Sequence, residues 1–288
     1  MNAIEVQGLV KKYPDFMLDH VTFNVPQGCI MGLIGENGAG KTTTLKALLN
    51  LIHRDGGSIR LLGKDLEQGE CDAKQEIGVV FEEAGFHDTL NTKDISKIMR
   101  RVFRQWDEAL FQTYLTRYEL PKEKALKEYS RGMRMKLSIA VAMAHHPKLL
   151  ILDEATSGLD PVMRNEILDD FLEFIQDERH TILLSSHITE DLEKVADYIA
   201  FLHKGKLVFS SEKDDLLERY GILHCGAKDA QRIDPADIAG KRSNAFGCDI
   251  LVRDRSLCQR KYRGLAVDHA TLEEIMLFYL KNDHRGNL

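Results

Sequence analysis

One run near the start of the chain has the residue types and spacing that hold phosphate. Gly35-Glu36-Asn37-Gly38-Ala39-Gly40-Lys41-Thr42 fits G-x-x-x-x-G-K-[ST] without a mismatch, and Thr43 follows. The glycines let backbone N–H groups turn inward around phosphate oxygens. A helix opening near Lys41 adds unpaired N–H groups and the positive end of its dipole. Lys41 is placed to reach the β- and γ-phosphates, and Thr42 to offer its hydroxyl to Mg²⁺. The loop by itself means nucleoside triphosphate, since kinases, GTPases and motors share it. The guanine-reading Asn-Lys-x-Asp motif is absent, which weighs against GTP.

A second chemical pair lies downstream. Leu149-Leu150-Ile151-Leu152-Asp153-Glu154 is an apolar run ending in two acids. Successive strand residues point to opposite sides, but at the strand end a turn brings both acids toward one ligand. Beside the loop, Asp153 would hold Mg²⁺ and Glu154 would orient and deprotonate an attacking water. Alone, the same pair is weak evidence and reads more readily as a helix cap or as solvated acids; its place downstream of the loop favours the catalytic reading.

These residues need a scaffold, and the pattern supplies one. Short β-branched runs alternate with helical periodicity, which predicts a layered α/β domain. Residues 29–34, 77–81, 149–152 and 181–185 read as strands. Asp160 and Pro161 suit the N-cap and first turn of a helix that continues through Ile167, Leu168, Phe171, Leu172 and Ile175. Between residues 85 and 146 the strand pattern stops. The stretches 92–118 and 131–145 read as amphipathic helix, a helical insertion. Beyond about residue 204 the pattern changes again. Strands are expected at 206–210 and 248–253, and helices at 212–220 and 271–280.

In this order the motifs resemble the ATP-binding subunits of ABC transporters across about residues 2–210. The expected fold is a phosphate-loop NTPase core of ABC type with an antiparallel β subdomain, the helical insertion, and a small C-terminal α+β appendage. The expected domains are 1–210, binding ATP, and 211–288, the appendage and a possible dimer contact. Lys12-Tyr13-Pro14 is similar to the family's aromatic loop, which implies that Tyr13 stacks on adenine. The run 77–82 ends where the family has a metal-touching glutamine; here it is Glu82, or Glu83 if the register shifts by one. A carboxylate still offers oxygen to Mg²⁺, but it adds negative charge and donates no hydrogen bond. Tyr129-Ser130-Arg131-Gly132-Met133 resembles the signature loop. That likeness implies that Ser130, Arg131 and Gly132 face ATP bound to an opposing subunit. Arg131 replaces a glycine and either adds charge near phosphate or faces solvent. Ser157-Gly158-Leu159-Asp160 sits at the D-loop position, where Asp160 bridges subunits. Ser185-Ser186-His187 sits at the switch position, where His187 bonds the γ-phosphate and holds Glu154 in line.

The resemblance implies ATP hydrolysis with Mg²⁺ in a head-to-tail ATP sandwich, as a homodimer or with a related chain. It implies a separate transmembrane permease subunit and a position on the cytoplasmic face of the membrane. The variant loops and the Thr271-Leu272-Glu273-Glu274-Ile275-Met276-Leu277 stretch look similar to bacterial exporters of peptides, antibiotics or toxins. Two alternatives stay open: a soluble regulatory ATPase of the same family, and a non-catalytic partner in a heterodimer.

Composition agrees with this class. The chain has 288 residues, is 43% hydrophobic and carries a formal net charge of -6. That balance weighs against a nucleic-acid partner, which favours a basic stripe. The 5 cysteines (Cys29, Cys71, Cys225, Cys248, Cys258) form no CxxC pair, so neither a disulfide framework nor a zinc site is expected. No stretch nears the ~20 apolar residues of a membrane span, and the opening residues lack the apolar core of a secretion signal.

Overall fold

The structure, a computed structural model, describes residues 1–65, 71–81, 85–244 and 247–282. It divides into two compact units, Met1–Ser210 and Ser211–Leu288.

The first unit opens with a hairpin of β1 (Asn2–Tyr13) and β2 (Phe16–Pro26). β3 (Ile30–Ile34) then runs into α1 (Lys41–Leu48). β4 (Gly56–Leu61) pairs with β1, completing an antiparallel sheet of order β2-β1-β4. The alternation along β1 is broken by register shifts, one between Val6 and Leu9 around Gly8 (φ 60°). Such bulges strengthen twist and blur the two-residue period.

After α2 (Cys71–Lys74) and β5 (Ile77–Val80) come the insertion helices α3 (Thr92–Val102), α4 (Glu108–Arg117) and α5 (Arg131–Met143). The chain returns through β6 (Leu149–Asp153), α6 (Pro161–Phe174), β7 (Thr181–Ser186), α7 (Thr189–Val195), β8 (Tyr198–His203) and β9 (Lys206–Glu212). The main sheet has the order β5-β6-β7-β3-β8-β9. β5, β6, β7, β3 and β8 pair in parallel. Every residue of β3, β6 and β7 is buried, as expected for strands covered on both faces. Their carboxyl ends share one edge: Asp153 pairs with Ser185 and Ile34 with Ser186. Ligands of open α/β sheets bind at that edge.

The 92–118 stretch is not one helix. Phe103 turns extended (φ −105°, ψ 123°) and stacks on His145 with ring centroids 3.8 Å apart. The Gln75 amide bonds both sides of the break, donating to Val102 O (3.0 Å) and accepting from Arg104 N (2.9 Å). Asp107 then caps α4, accepting from Leu110 N at 2.9 Å.

The second unit contains α8 (Lys213–Arg219), β10 (Gly221–Cys225), β11 (Ile238–Asn244), β12 (Gly247–Val252), α9 (Arg255–Lys261), β13 (Ala266–His269) and α10 (Leu272–Asn282). Its strands form an antiparallel sheet of order β11-β12-β10-β13. Leu223, Ile250, Val252 and Val267 form its core on one face.

Candidate active site

The phosphate loop is crowded by its neighbours at Gly35 and Gly40. A Cβ on Gly35 would lie 2.5 Å from Leu202 O; one on Gly40 would lie 2.6 Å from Leu18 Cδ2 and 2.8 Å from Phe16 Cζ. Gly40 also has φ 109°, and Gly38, exposed, has φ 81°. Packing against backbone therefore requires glycine at Gly35, and the left-handed backbone favours it at Gly38 and Gly40. Ala39 N donates to Glu36 O (3.1 Å), and Gly205 N to Ala39 O (3.0 Å), so the turn after β8 braces the loop. Glu36 pairs with His203 at 3.0 Å, while Asn37 points to solvent. Tyr13, 44% exposed, ends β1 at the turn of the hairpin whose Phe16 packs on Gly40; Lys11 Nζ lies 5.3 Å from its ring centre.

Lys41, only 6% exposed, aims its ammonium back over the loop. Its Nζ donates to Gly35 O (2.7 Å) and Glu36 O (3.4 Å) and lies 3.3 Å from Glu154 Oε1. Thr42 Oγ1 donates to Asp153 Oδ2 at 2.8 Å, and Thr43 follows half-buried on α1. The loop and the carboxylate pair, 111 residues apart in sequence, thus meet directly.

Glu154 adopts φ 52°, a left-handed conformation uncommon for a non-glycine residue. That single turn reverses the alternation of β6 and brings Glu154 to the same edge as Asp153. Two bonds hold it there: its N–H donates to Ser185 O (3.1 Å) and Ser185 Oγ (3.2 Å). Its carboxylate is gripped on both oxygens, by Lys41 at Oε1 and by His187 Nδ1 at Oε2 (2.6 Å). Strain at such a position persists only where its surroundings over-determine it.

Ser185 is the residue that motif reading passed over. Its hydroxyl donates to Asp153 Oδ1 at 2.5 Å while accepting from Glu154 N. It is fully buried. The available signal was a serine at the end of an apolar strand, where a buried hydroxyl must find partners.

Ser130, Arg131, Gly132 and Asp160 form a second group. Ser130 caps α5, its Oγ accepting from Met133 N at 3.2 Å. Gly132 abuts α6, where an added Cβ would lie 2.5 Å from Met163 Sδ. The Arg131 guanidinium lies over Gly158, within 2.7 Å of where that residue's Cβ would be. It therefore links the start of α5 to the loop that precedes α6. Asp160 caps α6, its Oδ1 accepting from Val162 N (3.1 Å) and Met163 N (3.0 Å). Arg164 of α6 faces Asp191 of α7 at 3.9 Å, and burial pushes the Asp191 carboxyl up from its ordinary range. Glu82 and Glu83 lie outside the described residues.

Comparison with known proteins agrees with this geometry. The ABC transporter family model matches residues 18–157. The chain is 34% identical over 222 residues to the bacitracin transport ATP-binding protein BcrA of Enterococcus faecalis, covering 75% of this chain and 71% of that one. It is 35% identical over 214 residues to the lantibiotic transport ATP-binding protein SrtF of Streptococcus pyogenes, covering 73% and 91%. A solved ATP-binding subunit of an ABC transporter superposes with a TM-score of 0.66 at 28% identity, covering 74% of this chain and 91% of that one. The chain belongs to the ATP-binding family of ABC transporters. It is an ATPase that powers a transporter. No helix among the described residues is long and apolar enough to cross a membrane.

Proposed function

We propose that this chain drives export of a peptide, antibiotic or other amphipathic substrate by hydrolysing ATP on the cytoplasmic face of a membrane. The contact that carries the chemistry is the unbroken chain Thr42–Asp153–Ser185–Glu154–His187, closed by Lys41. The relatives named for bacitracin and lantibiotic transport support the substrate class.

In this reading Tyr13 stacks on adenine, and residues 35–43 wrap the phosphates with backbone N–H groups. Lys41 exchanges Gly35 O and Glu154 Oε1 for phosphate oxygens. Glu154, released on Oε1 and still held by His187 on Oε2, accepts the proton of the attacking water. His187 keeps that carboxylate aimed and bonds the γ-phosphate. The oxygen donors of Thr42 and Asp153 suit Mg²⁺, a hard cation that binds oxygen. Mg²⁺, when bound, supplies positive charge to the phosphates. Glu82 is a further candidate oxygen donor.

Ser130, Arg131, Gly132 and Asp160 act across a head-to-tail dimer, on ATP held by the opposing subunit. The fit of Arg131 to Gly158 supports one rigid signature-to-D-loop surface. A separate membrane subunit docks on residues 1–210. An apolar groove of about 430 Å³, lined by Leu49, Leu51, Ile77, Val79, Val102 and Phe103, supports this site. Leu51 and Val102 are more than half exposed there. Residues 211–288 are read as an appendage that adds to the subunit contact.

The test is light scattering of Glu154→Gln and Lys41→Ala with ATP and Mg²⁺. The first should double in mass and the second should stay monomeric. ATP-independent mass in both, or co-purification with ribosomes rather than a polytopic membrane protein, would overturn the reading.

A further inference from the structure

The second unit carries a pair of cysteines that the ATPase chemistry does not use. β10 and β12 run antiparallel, and their register sets Cys225 directly opposite Cys248. Residues opposite each other on neighbouring strands share a face of the sheet. Both side chains accordingly pack in the same small core, beside Leu223, Ile250 and Val252. Cys225 Sγ lies 3.6 Å from Cys248 O, and both thiols are free. Opposed residues of an antiparallel pair have Cα atoms ~4.5 or ~5.5 Å apart, according to their place in the ladder. A disulfide spans Cα separations of ~4.4–6.8 Å, so either place satisfies it.

Access is asymmetric. Cys225 is partly exposed at the end of β10, whereas Cys248 is 3% exposed. A reagent in solution therefore meets Cys225 first, and Cys248 stands behind it. Cys258 shares the core but is fully buried on α9. It provides an internal control for access.

We propose that Cys225 and Cys248 are a reversible thiol–disulfide modification site, oxidised by a low-molecular-weight disulfide. The Cys225 thiolate attacks one sulfur of that disulfide, breaking its S–S bond and releasing one thiolate. The Cys248 thiolate then attacks Cys225 Sγ, breaking the mixed disulfide and releasing the second. Two protein thiols are oxidised, one small disulfide is reduced to two thiols, and the two protons pass to the leaving thiolates. The product ties β10 to β12 and closes residues 226–247, including β11, into a loop. Burial, then the nearby Cys248 and Asp229, raises the Cys225 thiol above its ordinary value, so the exchange quickens as pH rises.

The experiment is incubation of the full chain with glutathione disulfide, then alkylation, proteolysis without reductant and mass spectrometry. The expected product is one cross-linked peptide joining Cys225 to Cys248, lighter than the reduced pair by two hydrogens and reversed by added thiol. Cys258 should react only after denaturation. Cys248→Ser should stop at a glutathione adduct on Cys225, and Cys225→Ser should give neither product. A wild-type chain that stops at the adduct, cross-links another pair, or keeps both thiols alkylatable overturns the proposal. The wild-type product is decisive even if either variant folds poorly.

Discussion

Replacing Ser185 by alanine removes one oxygen that bonds both Asp153 and Glu154. Ser185 Oγ donates to Asp153 Oδ1 at 2.5 Å and accepts from Glu154 N at 3.2 Å. A hydrogen bond to a charged group contributes ~1.5–3 kcal/mol, and a neutral one ~0.5–1.5 kcal/mol. Glu154 N keeps its bond to Ser185 O at 3.1 Å, so the second loss falls at the low end. The total is about 3 kcal/mol, since Asp153 is buried and water does not replace the lost donor. At ~2–4 °C per kcal/mol, the thermal midpoint of a unit this size should fall by ~6–12 °C. Freed carboxylates should also lower turnover by ~10–100-fold, the scale of a misplacement near 1 Å. Calorimetry and steady-state phosphate release measure the two effects. A variant that melts and turns over like the native chain would refute the bridging role. Lost stability with full turnover would show that Ser185 holds the fold but does not aim Glu154.

Two further outcomes follow from named contacts. Asp160→Ala should lose about 1 kcal/mol by uncapping α6, whereas Asp160→Asn, still a good cap, should melt as the native chain does. If Asp160 also bridges subunits, the Asn variant should nonetheless weaken ATP-driven dimerisation; equal destabilisation of both variants would contradict the cap. In the insertion, partial burial raises the Glu108 carboxyl, but bonds from Ser96, Gln112 and Arg100 overcome this and bring it down to about 2. Its folded value lies below the unfolded one, so its stabilisation is complete above pH ~4.3 and is lost as pH falls through 2. The stability gap between the native chain and Glu108→Gln, measured by urea unfolding, should therefore shrink below that pH. A constant gap would contradict the assignment.

The parts of the site made by local spacing were legible in sequence. Gly35–Thr43 form a contiguous loop whose glycines obey local geometry. Asp160 and Pro161 open α6 because cap and first-turn chemistry is local. The burial of β3 and β6 followed from their apolar runs, Ile30–Ile34 and Leu149–Leu152. What stayed hidden depended on distant partners. Ser185 matters only because β7 lies beside β6. The break at Phe103 depends on His145 and Gln75, neither of them close in sequence. β1 hid because bulges spoil its alternation, and β11 because Ile238–Asn244 carries too few apolar residues to show a period. Arg131 could not be placed between phosphate and solvent from sequence, since its neighbour Gly158 belongs to another loop.

The proposed function makes Glu154, which the fold turns toward the phosphate loop, the base. Glu154→Gln keeps the shape of the side chain and removes its basicity. ATP binding by equilibrium titration and phosphate release by steady-state assay should separate in this variant. Affinity should stay within about threefold of native while turnover falls by ~10²-fold or more, the contribution expected of a positioned general base. Native turnover in Glu154→Gln would contradict the assignment of Glu154 and the catalytic reading built on it.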